Sequence, residues 1–133
     1  MKKIIFTDKV PSPIGPYSQA VWANGTLYCS GQIAADCLDG NAAAQTEQVC
    51  KNLSAVLQAA GMQMRDVVKT TCFLADLGDF AGFNEVYERY FAHRPARSCV
   101  AVKGLPKGAL VEIEAVAVEE RRSLPSTEIK IKI

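Results

Sequence analysis

The segment ALVEIEAVAV, residues 109–118, constrains the fold more than any other part of the chain. Its side chains alternate in character, which predicts a β-strand whose successive residues point to opposite faces of a sheet. One face is wholly apolar: Val111, Ile113, Ala115 and Ala117. The other face mixes two carboxylates with hydrophobic residues: Leu110, Glu112, Glu114, Val116 and Val118. Because a solvent face is usually more polar than this, the sequence predicts a sheet that needs a cover on both sides.

The apolar periodicity of the rest of the chain predicts further strands and two helices. Asn24-Gly25 is a strong hairpin signal, Gly61 is a natural helix stop, and Asp79 is a candidate N-cap for the second helix. The order strand, hairpin, helix, strand, helix, strand, strand predicts an α+β two-layer domain, with a mixed sheet of about six strands and both helices on one face. The predicted segments are strands at 2–6, 19–31 (the hairpin), 66–75, 94–102 and 109–118, and helices at 41–61 and 78–91.

The segment RPARSCVAV, residues 94–102, is a strand with an unusual face. Its two-residue period puts Arg97 and Cys99 on one side and Val100 on the other. The turn GLPKG predicts that this strand and the last one are antiparallel neighbours. If the valines face the core, then Arg97, Cys99 and the two glutamates collect on the face away from the helices. With only two helices available, we expect another copy of the chain to cover that face and to complete a site at the subunit seam.

The chemistry of these side chains limits what such a site does. An arginine stays protonated and holds a carboxylate through two parallel hydrogen bonds. A glutamate in a partly desolvated pocket holds and activates a water molecule. Cys99 lacks a base partner, since the chain's one histidine, His93, is six residues away, so a Cys–His nucleophile is a weak interpretation.

Composition argues against several other classes of protein. The formal net charge is +1, which is not the basic balance of a nucleic-acid-binding domain, and no apolar run reaches membrane-spanning length. Five cysteines without a C-x-x-C motif, beside one histidine, argue against a zinc site and against a disulfide framework. Unpaired thiols favour a reducing compartment, so we expect a cytoplasmic protein. The start MKKIIF is interpreted as mature protein rather than a signal peptide.

From Ile14 to Val118 the chain resembles the RidA/YjgF/YER family, the reactive intermediate deaminases, also called L-PSP endoribonucleases. The resemblance rests on five motifs in this order: IGPYSQAV, LYCSGQI, DVVKTTCFLADLGDFAGFNEVYERYF, PARSCVAV and LPKGALVEIEAVAV. It implies a chorismate-mutase-like fold, a homotrimeric barrel and clefts between subunits. It also implies hydrolysis of 2-enamino and 2-imino acids, such as 2-aminoacrylate, 2-iminopropanoate and 2-iminobutanoate, to 2-keto acids and ammonia. The resemblance implies that no cofactor or metal is needed.

Three residues carry the catalytic part of this resemblance. Arg97 matches the arginine that grips the substrate carboxylate. Cys99 matches a pocket residue that contributes backbone groups near the imine. Glu112 matches the residue that positions the attacking water.

Four further residues match substrate-binding positions. Tyr17 of GPYSQ, and Ser30 with Gly31 of CSGQ, match residues that line the pocket. Asn84 of FNEVYERYF matches an asparagine at the cleft, although an exposed helix residue is the plainer interpretation of it.

Two departures from the family pattern concern segments beside the predicted domain core. The loop AHRP, residues 92–95, is shorter than the family's by a few residues, which bears on substrate preference. A single domain is predicted over residues 1–122, followed by a tail at 123–133. Isoleucines alternate with lysines there, so the tail is either an added edge strand or a disordered terminus.

Plainer structural interpretations of the same residues stay open from sequence. Arg97 is alternatively an interface ion-pair partner of Glu114, and Glu112 a structural carboxylate satisfied by backbone donors. Tyr17 and Ser30 alternatively tie the proline-rich loop to the sheet. Other functions also stay open: a regulatory module that binds small carboxylates without turnover, less favourably an endoribonuclease, and a holdase-type chaperone.

Overall fold

The computed structural model describes residues 1–119 and has the predicted order of elements. The predicted tail at 123–133 lies outside the described residues. No helix within residues 1–119 has the length and hydropathy to cross a membrane. The elements are β1 (Lys2–Ile5), β2 (Ala20–Ala23), β3 (Thr26–Gln32), α1 (Ala42–Ala59), β4 (Val67–Leu74), α2 (Phe80–Tyr90), β5 (Ala96–Ala101) and β6 (Val111–Val118).

The local signals at the hairpin and at α1 are confirmed. Asn24 and Gly25 both adopt positive φ, 52° and 81°, as a two-residue turn between β2 and β3 requires. The Asn41 side chain caps α1 by accepting from the Ala44 N–H at 2.9 Å. Gly61 follows the helix with a φ of 75°, a left-handed conformation that glycine adopts without a Cβ penalty.

Asp79 occupies the N-cap position of α2, as predicted, but its side chain does not cap the helix. A 3₁₀ turn at Leu77–Asp79 runs directly into the helix, and the Asp79 side chain makes no capping hydrogen bond. The carboxylate that caps this composite start belongs to Asp76, which accepts from the Gly78 N–H at 2.9 Å. A capping residue must precede the first helical turn, and here the 3₁₀ turn comes before the α-helix.

The core lies between the helices and one face of the sheet. The predicted apolar face of β6 is confirmed, since its four residues are at most 2% exposed. Two aromatic residues of α2, Phe83 and Tyr87, and Phe91 directly after the helix are also buried. The four residues on the buried face of β6 are Val111, Ile113, Ala115 and Ala117.

The strand order is β1-β2-β3-β6-β4-β5, which contradicts the prediction that β5 and β6 are neighbours. β6 lies antiparallel between β3 and β4, and β5 pairs in parallel with β4 alone, at the edge of the sheet. The link from β5 to β6 therefore passes the end of β4. It contains a 3₁₀ turn at Pro106–Gly108 in which Lys107 and Gly108 have positive φ, so it is not a simple hairpin.

The predicted orientation of Arg97 and Cys99 is also wrong, because both lie on the helix face. In the register of β4 and β5, Arg97 pairs with Thr70 and Cys99 with Cys72, and Cys72 in turn pairs with buried Ile113. Alternation states which residues share a face but not which face is buried. Hydrophobicity predicts that Val100 faces the core, yet Val100 is 45% exposed on the opposite face.

The face away from the helices is open and partly apolar, as the composition of β6 predicted. Glu112 and Glu114 lie on it, paired with Phe73 and Thr71 of β4. Large hydrophobic side chains on this face keep much of their surface exposed: Tyr28 53%, Val100 45% and Val118 42%. A cover by another copy of the chain stays a prediction.

Candidate active site

The predicted site residues divide between two cavities on the same chain. The arginine cavity has a volume of about 440 Å³ and is lined by Asn84 and Arg97, with α2 as one wall. The glutamate cavity has a volume of about 480 Å³ and is lined by Tyr17, Ser30, Gly31 and Glu112, among other residues. The separation follows from topology, because Arg97 and Glu112 lie on opposite faces of the sheet, on strands that have β4 between them.

The Arg97 guanidinium is held in place by α2. Its Nη1 donates to Asn84 Oδ1 at 2.7 Å, and its Cζ lies 4.9 Å from the ring centroid of Tyr87. The rings of Phe80 and Phe83 lie at 5.6 and 5.9 Å, so three aromatic faces surround the cation. Such contacts stabilise a guanidinium without using its N–H donors. These aromatic rings of α2 therefore bind the arginine as well as contributing to the core.

Most hydrogen-bonding capacity of Arg97 stays available within the described chain. The ion pairs found in residues 1–119 join Arg89 to Glu47 and Glu85, and neither includes Arg97. An ion pair between Arg97 and Glu114 does not form within the described chain, since the two lie on opposite faces of the sheet. A half-buried guanidinium with free donors is suited to an anionic ligand.

Tyr87 lines the arginine cavity and does not act as an acid or a base at neutral pH. Its hydroxyl and Thr70 Oγ1 lie 2.6 Å apart in the core. Burial raises the pKa of Tyr87 to about 12, against the lowering effects of Thr70 and Arg97. The phenol therefore stays neutral and fixes the ring under the guanidinium.

Cys99 lies two residues after Arg97 on β5 and pairs with Cys72 of β4. It lines neither cavity. Burial raises the pKa of the Cys99 thiol, and Arg97 opposes this only in part. The thiol is therefore the protonated form at neutral pH and is unsuited to nucleophilic attack. Any part that Cys99 plays through its backbone groups stays a prediction. Within residues 1–119, no group of three His, Cys, Asp or Glu side chains is arranged to hold a metal ion.

Glu112 packs directly against the backbone of Gly31. A Cβ built on Gly31 would lie 2.8 Å from Glu112 Cδ and 3.0 Å from its Cγ, and it would overlap Oε2. Gly31 follows Ser30 at an irregularity in the pairing of β3 with β6, where glycine permits close approach of another group. Desolvation, and secondarily the charge of Glu114, raises the pKa of Glu112. A half-buried carboxylate of raised pKa is a suitable base for activating water.

Ser30 and Tyr17 belong to the junction between the proline-rich loop and β3. Ser30 Oγ donates to the Ser18 carbonyl at 2.6 Å, and the Ser30 N–H donates to the Gln19 carbonyl at 3.0 Å. Buried Gln19 in turn bonds the backbone of Thr7 and Pro11. The Ser30 hydroxyl therefore connects the proline-rich loop to the sheet. This is the structural role that the sequence left open beside a role in substrate binding. Tyr17 is 51% exposed, so its ring is available to a ligand.

Sequence reasoning missed several residues that line the cavities. Glu88 and Arg94 line the arginine cavity, and Lys107 lines the glutamate cavity. Glu88 follows Asn84 by four residues, and this spacing in the sequence indicates that the two share one face of a helix. Arg94 and Lys107 have positive φ, 58° and 59°, which no residue pattern indicated. His93 lies outside both cavities, with Nε2 2.9 Å from the Val67 carbonyl oxygen.

Comparison with known proteins gives matches along nearly the whole described chain. The family model described as Endoribonuclease L-PSP matches residues 7–119. A RutC family protein of Pyrococcus horikoshii is 48% identical over 126 residues, covering 90% of this chain and 100% of its own. A human protein named 2-iminobutanoate/2-iminopropanoate deaminase is 46% identical over 125 residues, covering 90% and 91%. The crystal structure of E. coli TdcF with bound serine is similar at a TM-score of 0.84, with 40% identity over 89% of this chain and 99% of that one.

Proposed function

Because the chain belongs to the endoribonuclease L-PSP family, also called the RidA/YjgF/YER family, we propose that it hydrolyses 2-imino acids to 2-keto acids and ammonia. The substrates include 2-iminopropanoate, 2-iminobutanoate and the enamine 2-aminoacrylate. The observation that carries this proposal is the guanidinium of Arg97, fixed by Asn84 and three aromatic rings and left with free donors in a cavity. It is suited to the carboxylate that all these substrates share.

Two relatives support the proposal from their own names. The human relative is named for the deamination of 2-iminobutanoate and 2-iminopropanoate. E. coli TdcF holds serine, a small molecule with a carboxylate on the carbon that bears nitrogen. Imino acids have the same arrangement of carboxylate and nitrogen.

The second part of the proposal is that three copies of the chain form a homotrimeric barrel with its sites in clefts between subunits. One chain would contribute Arg97 and Asn84, and its neighbour would contribute Tyr17, Gly31 and Glu112. The separation of the two groups on a single chain supports this arrangement, because neither cavity alone contains both Arg97 and Glu112. The exposed hydrophobic side chains of the open sheet face supply a surface for such a contact.

The reaction needs a held substrate and one activated water. Arg97 binds the C1 carboxylate, and Glu112 accepts a proton from water as the water oxygen attacks C2 of the protonated imine. The C=N bond becomes a C–N bond, and Glu112 then returns its proton to the nitrogen. Ammonia leaves as Glu112 accepts the proton of the C2 hydroxyl, which becomes the keto oxygen, and Glu112 then releases that proton to the ammonia. 2-Aminoacrylate enters after protonation at C3, which converts the enamine into 2-iminopropanoate. The imine is already electrophilic, so positioning supplies much of the acceleration.

The test is to generate 2-iminobutanoate with a threonine dehydratase and to follow 2-oxobutanoate release above the uncatalysed rate. We expect Arg97→Ala to lower kcat/KM by about 100-fold or more, because the charged hydrogen bonds to the carboxylate are lost. Arg97→Lys keeps the charge but not the forked donor geometry, so we expect an intermediate loss. Arg89→Ala is the matched control, since Arg89 lies on the outer face of α2 in an exposed ion pair. Full activity of Arg97→Ala would contradict the proposal.

Shared sites are tested by complementation between two inactive variants. Arg97→Ala and Glu112→Gln would be coexpressed with different tags, and the mixed oligomers purified. In a trimer that holds both variants, one of the three clefts combines an intact Arg97 with an intact Glu112, so roughly a third of wild-type activity should return. No recovery in mixed oligomers would refute a site built from two subunits. Sedimentation of the wild-type chain as a monomer would refute the trimer.

The same assay separates catalysis from binding alone. Thermal stabilisation by 2-oxobutanoate without any acceleration of imine hydrolysis would favour a regulatory module that binds small carboxylates. RNA cleavage is not proposed, because the chain's one histidine bonds a backbone carbonyl and the formal net charge is only +1.

A further inference from the structure

The arginine cavity carries more charge than a monocarboxylic substrate requires. Arg97 accounts for one carboxylate, but Arg94 and Glu88 line the same space. A volume of about 440 Å³ also exceeds the needs of a four-carbon imino acid, because cavities of about 300 Å³ and above hold considerably larger ligands. The exposed side chains of Arg94 and Glu88 are therefore charges of this cavity that a substrate carboxylate bound to Arg97 does not use.

The backbone keeps Arg94 at the cavity wall. Its φ of 58° is in the left-handed region, which strains a residue that has a Cβ. The turn that imposes this conformation is braced at both ends. The Arg94 N–H donates to the Phe91 carbonyl at 2.9 Å, His93 Nε2 lies 2.9 Å from the Val67 carbonyl oxygen, and Pro95 fixes the next φ. The short connection between α2 and β5 thus places an arginine where a glycine would be less strained.

The charge of Arg94 is not neutralised by an ion pair within the part of the chain that the structure describes. Neither ion pair of residues 1–119 includes Arg94 or Glu88. Two guanidinium groups, at positions 94 and 97, and one opposing carboxylate therefore share the cavity. An anion that reaches both guanidinium groups would gain charge-assisted hydrogen bonds at each end.

We propose that Arg94 binds a second anionic group at the far end of the substrate, so that the chain prefers imino dicarboxylates of the 2-iminoglutarate type over 2-iminobutanoate. This inference rests on the proposed function, in which Arg97 holds the C1 carboxylate. Glu88 opposes the second anion and moderates the preference. Arg94 is thus a residue that determines specificity and takes no part in the chemical step.

The first test is equilibrium binding, which does not depend on turnover. Calorimetry would compare 2-oxoglutarate with 2-oxobutanoate on wild type, Arg94→Ala, Arg94→Lys and Glu88→Gln. We expect wild type to bind 2-oxoglutarate about tenfold more tightly, and Arg94→Ala to bring the two ligands within about twofold of each other. Arg94→Lys should keep part of the preference, and Glu88→Gln should increase it. Lys51→Ala, an exposed substitution on α1 with the same change in net charge, should leave the preference unchanged.

The second test is turnover of the two imines, each generated from its amino acid by an amino-acid oxidase with catalase present. Semicarbazide traps the imine, so a deaminase lowers the yield of semicarbazone. We expect Arg94→Ala to lower kcat/KM for 2-iminoglutarate about tenfold while kcat/KM for 2-iminobutanoate changes less than twofold. Equal losses for both imines, or equal binding of the two keto acids by wild type, would overturn the role of Arg94. If neither imine is hydrolysed, the proposed deaminase activity fails, and the binding comparison alone decides whether Arg94 recognises a second anion.

Discussion

Replacing Gly31 by alanine tests how closely the Glu112 carboxylate must be positioned. A Cβ at residue 31 would lie 2.8 Å from Glu112 Cδ and 3.0 Å from Cγ, and it would overlap Oε2. Real Cβ atoms keep at least about 3.4 Å from such neighbours, so the carboxylate must move by about 1 Å. Glu112 lines an open cavity, so it has room to move without unfolding the strand. The substitution therefore displaces a proposed base while it leaves that base in the chain.

The displacement should lower the reaction rate strongly and change the stability of the fold little. A misplacement of about 1 Å at a reacting group lowers the rate by about 100-fold, or roughly 2.7 kcal/mol of activation free energy. Gly31 does not have positive φ, so alanine strains no backbone there and even reduces the entropy of the unfolded chain. We expect kcat/KM for 2-iminobutanoate to fall about 100-fold while Tm changes by less than about 3 °C. Gly82→Ala is the control, because a Cβ at position 82 meets no atom within 4 Å.

A double-mutant cycle makes the test specific to Glu112. If Gly31→Ala acts only through the carboxylate, then adding it to Glu112→Gln should cause little further loss, and the two effects should be far from additive. Additive losses would show that Gly31 acts by another route, such as backbone contact with the substrate. Activity of Gly31→Ala above about a third of wild type would refute the positional argument altogether.

Four further predictions concern Glu112, Asn84 and Thr70. Glu112 has a raised pKa, so activity should be lost as pH falls through a value above the ordinary 4.5, and Glu114→Gln should shift that acid limb to lower pH in a pH–rate profile because a like charge is removed. The raised pKa also means that charged Glu112 lowers stability at neutral pH, so Glu112→Gln should raise Tm at pH 7 and lose this advantage at a pH below 4.5. Asn84→Ala removes the 2.7 Å hydrogen bond to Arg97 and should raise KM about tenfold. Asn84→Asp should raise KM further, because its carboxylate would form an ion pair with Arg97 and compete with the substrate. Equal KM values for the two variants would contradict this. Thr70→Val leaves the buried Tyr87 hydroxyl without its partner and should lower stability by about 2 kcal/mol, or roughly 8 °C in Tm, while Thr71→Val on the open face should cost much less.

The elements of the fold were predictable because their signals are local. The Asn24-Gly25 turn, the glycine stop after α1 and the apolar face of β6 each depend on residues within one segment. The pairing of β5 was not predictable in this way, since the order of strands in a sheet depends on contacts between distant segments. The GLPKG turn resembled a hairpin in sequence, but left-handed angles at Lys107 and Gly108 carry the chain past β4.

The candidate site was predictable by residue but not by geometry. The resemblance of PARSCVAV and VEIE to family motifs identified Arg97 and Glu112, but alternation alone could not assign their faces. The aromatic rings that hold Arg97 lie on α2, 10 or more residues earlier, and no pattern in the sequence linked them to that arginine, whereas the resemblance did identify Asn84. The dependence of Glu112 on Gly31 is a contact between two strands and became visible only once their register was known.

The edge position of β5, which the sequence reasoning missed, explains how one side chain can be both packed and available. A guanidinium on a central strand would be enclosed on every side, and its burial would require a charged partner within the core. At the edge, α2 covers Arg97 from one side only, so the aromatic rings and Asn84 orient the cation while its remaining donors face the arginine cavity. The same edge leaves one side of the β5 backbone unpaired in the described chain. An anion-binding group and an open strand edge thus occur together, and a partner subunit that covered one would also enclose the other.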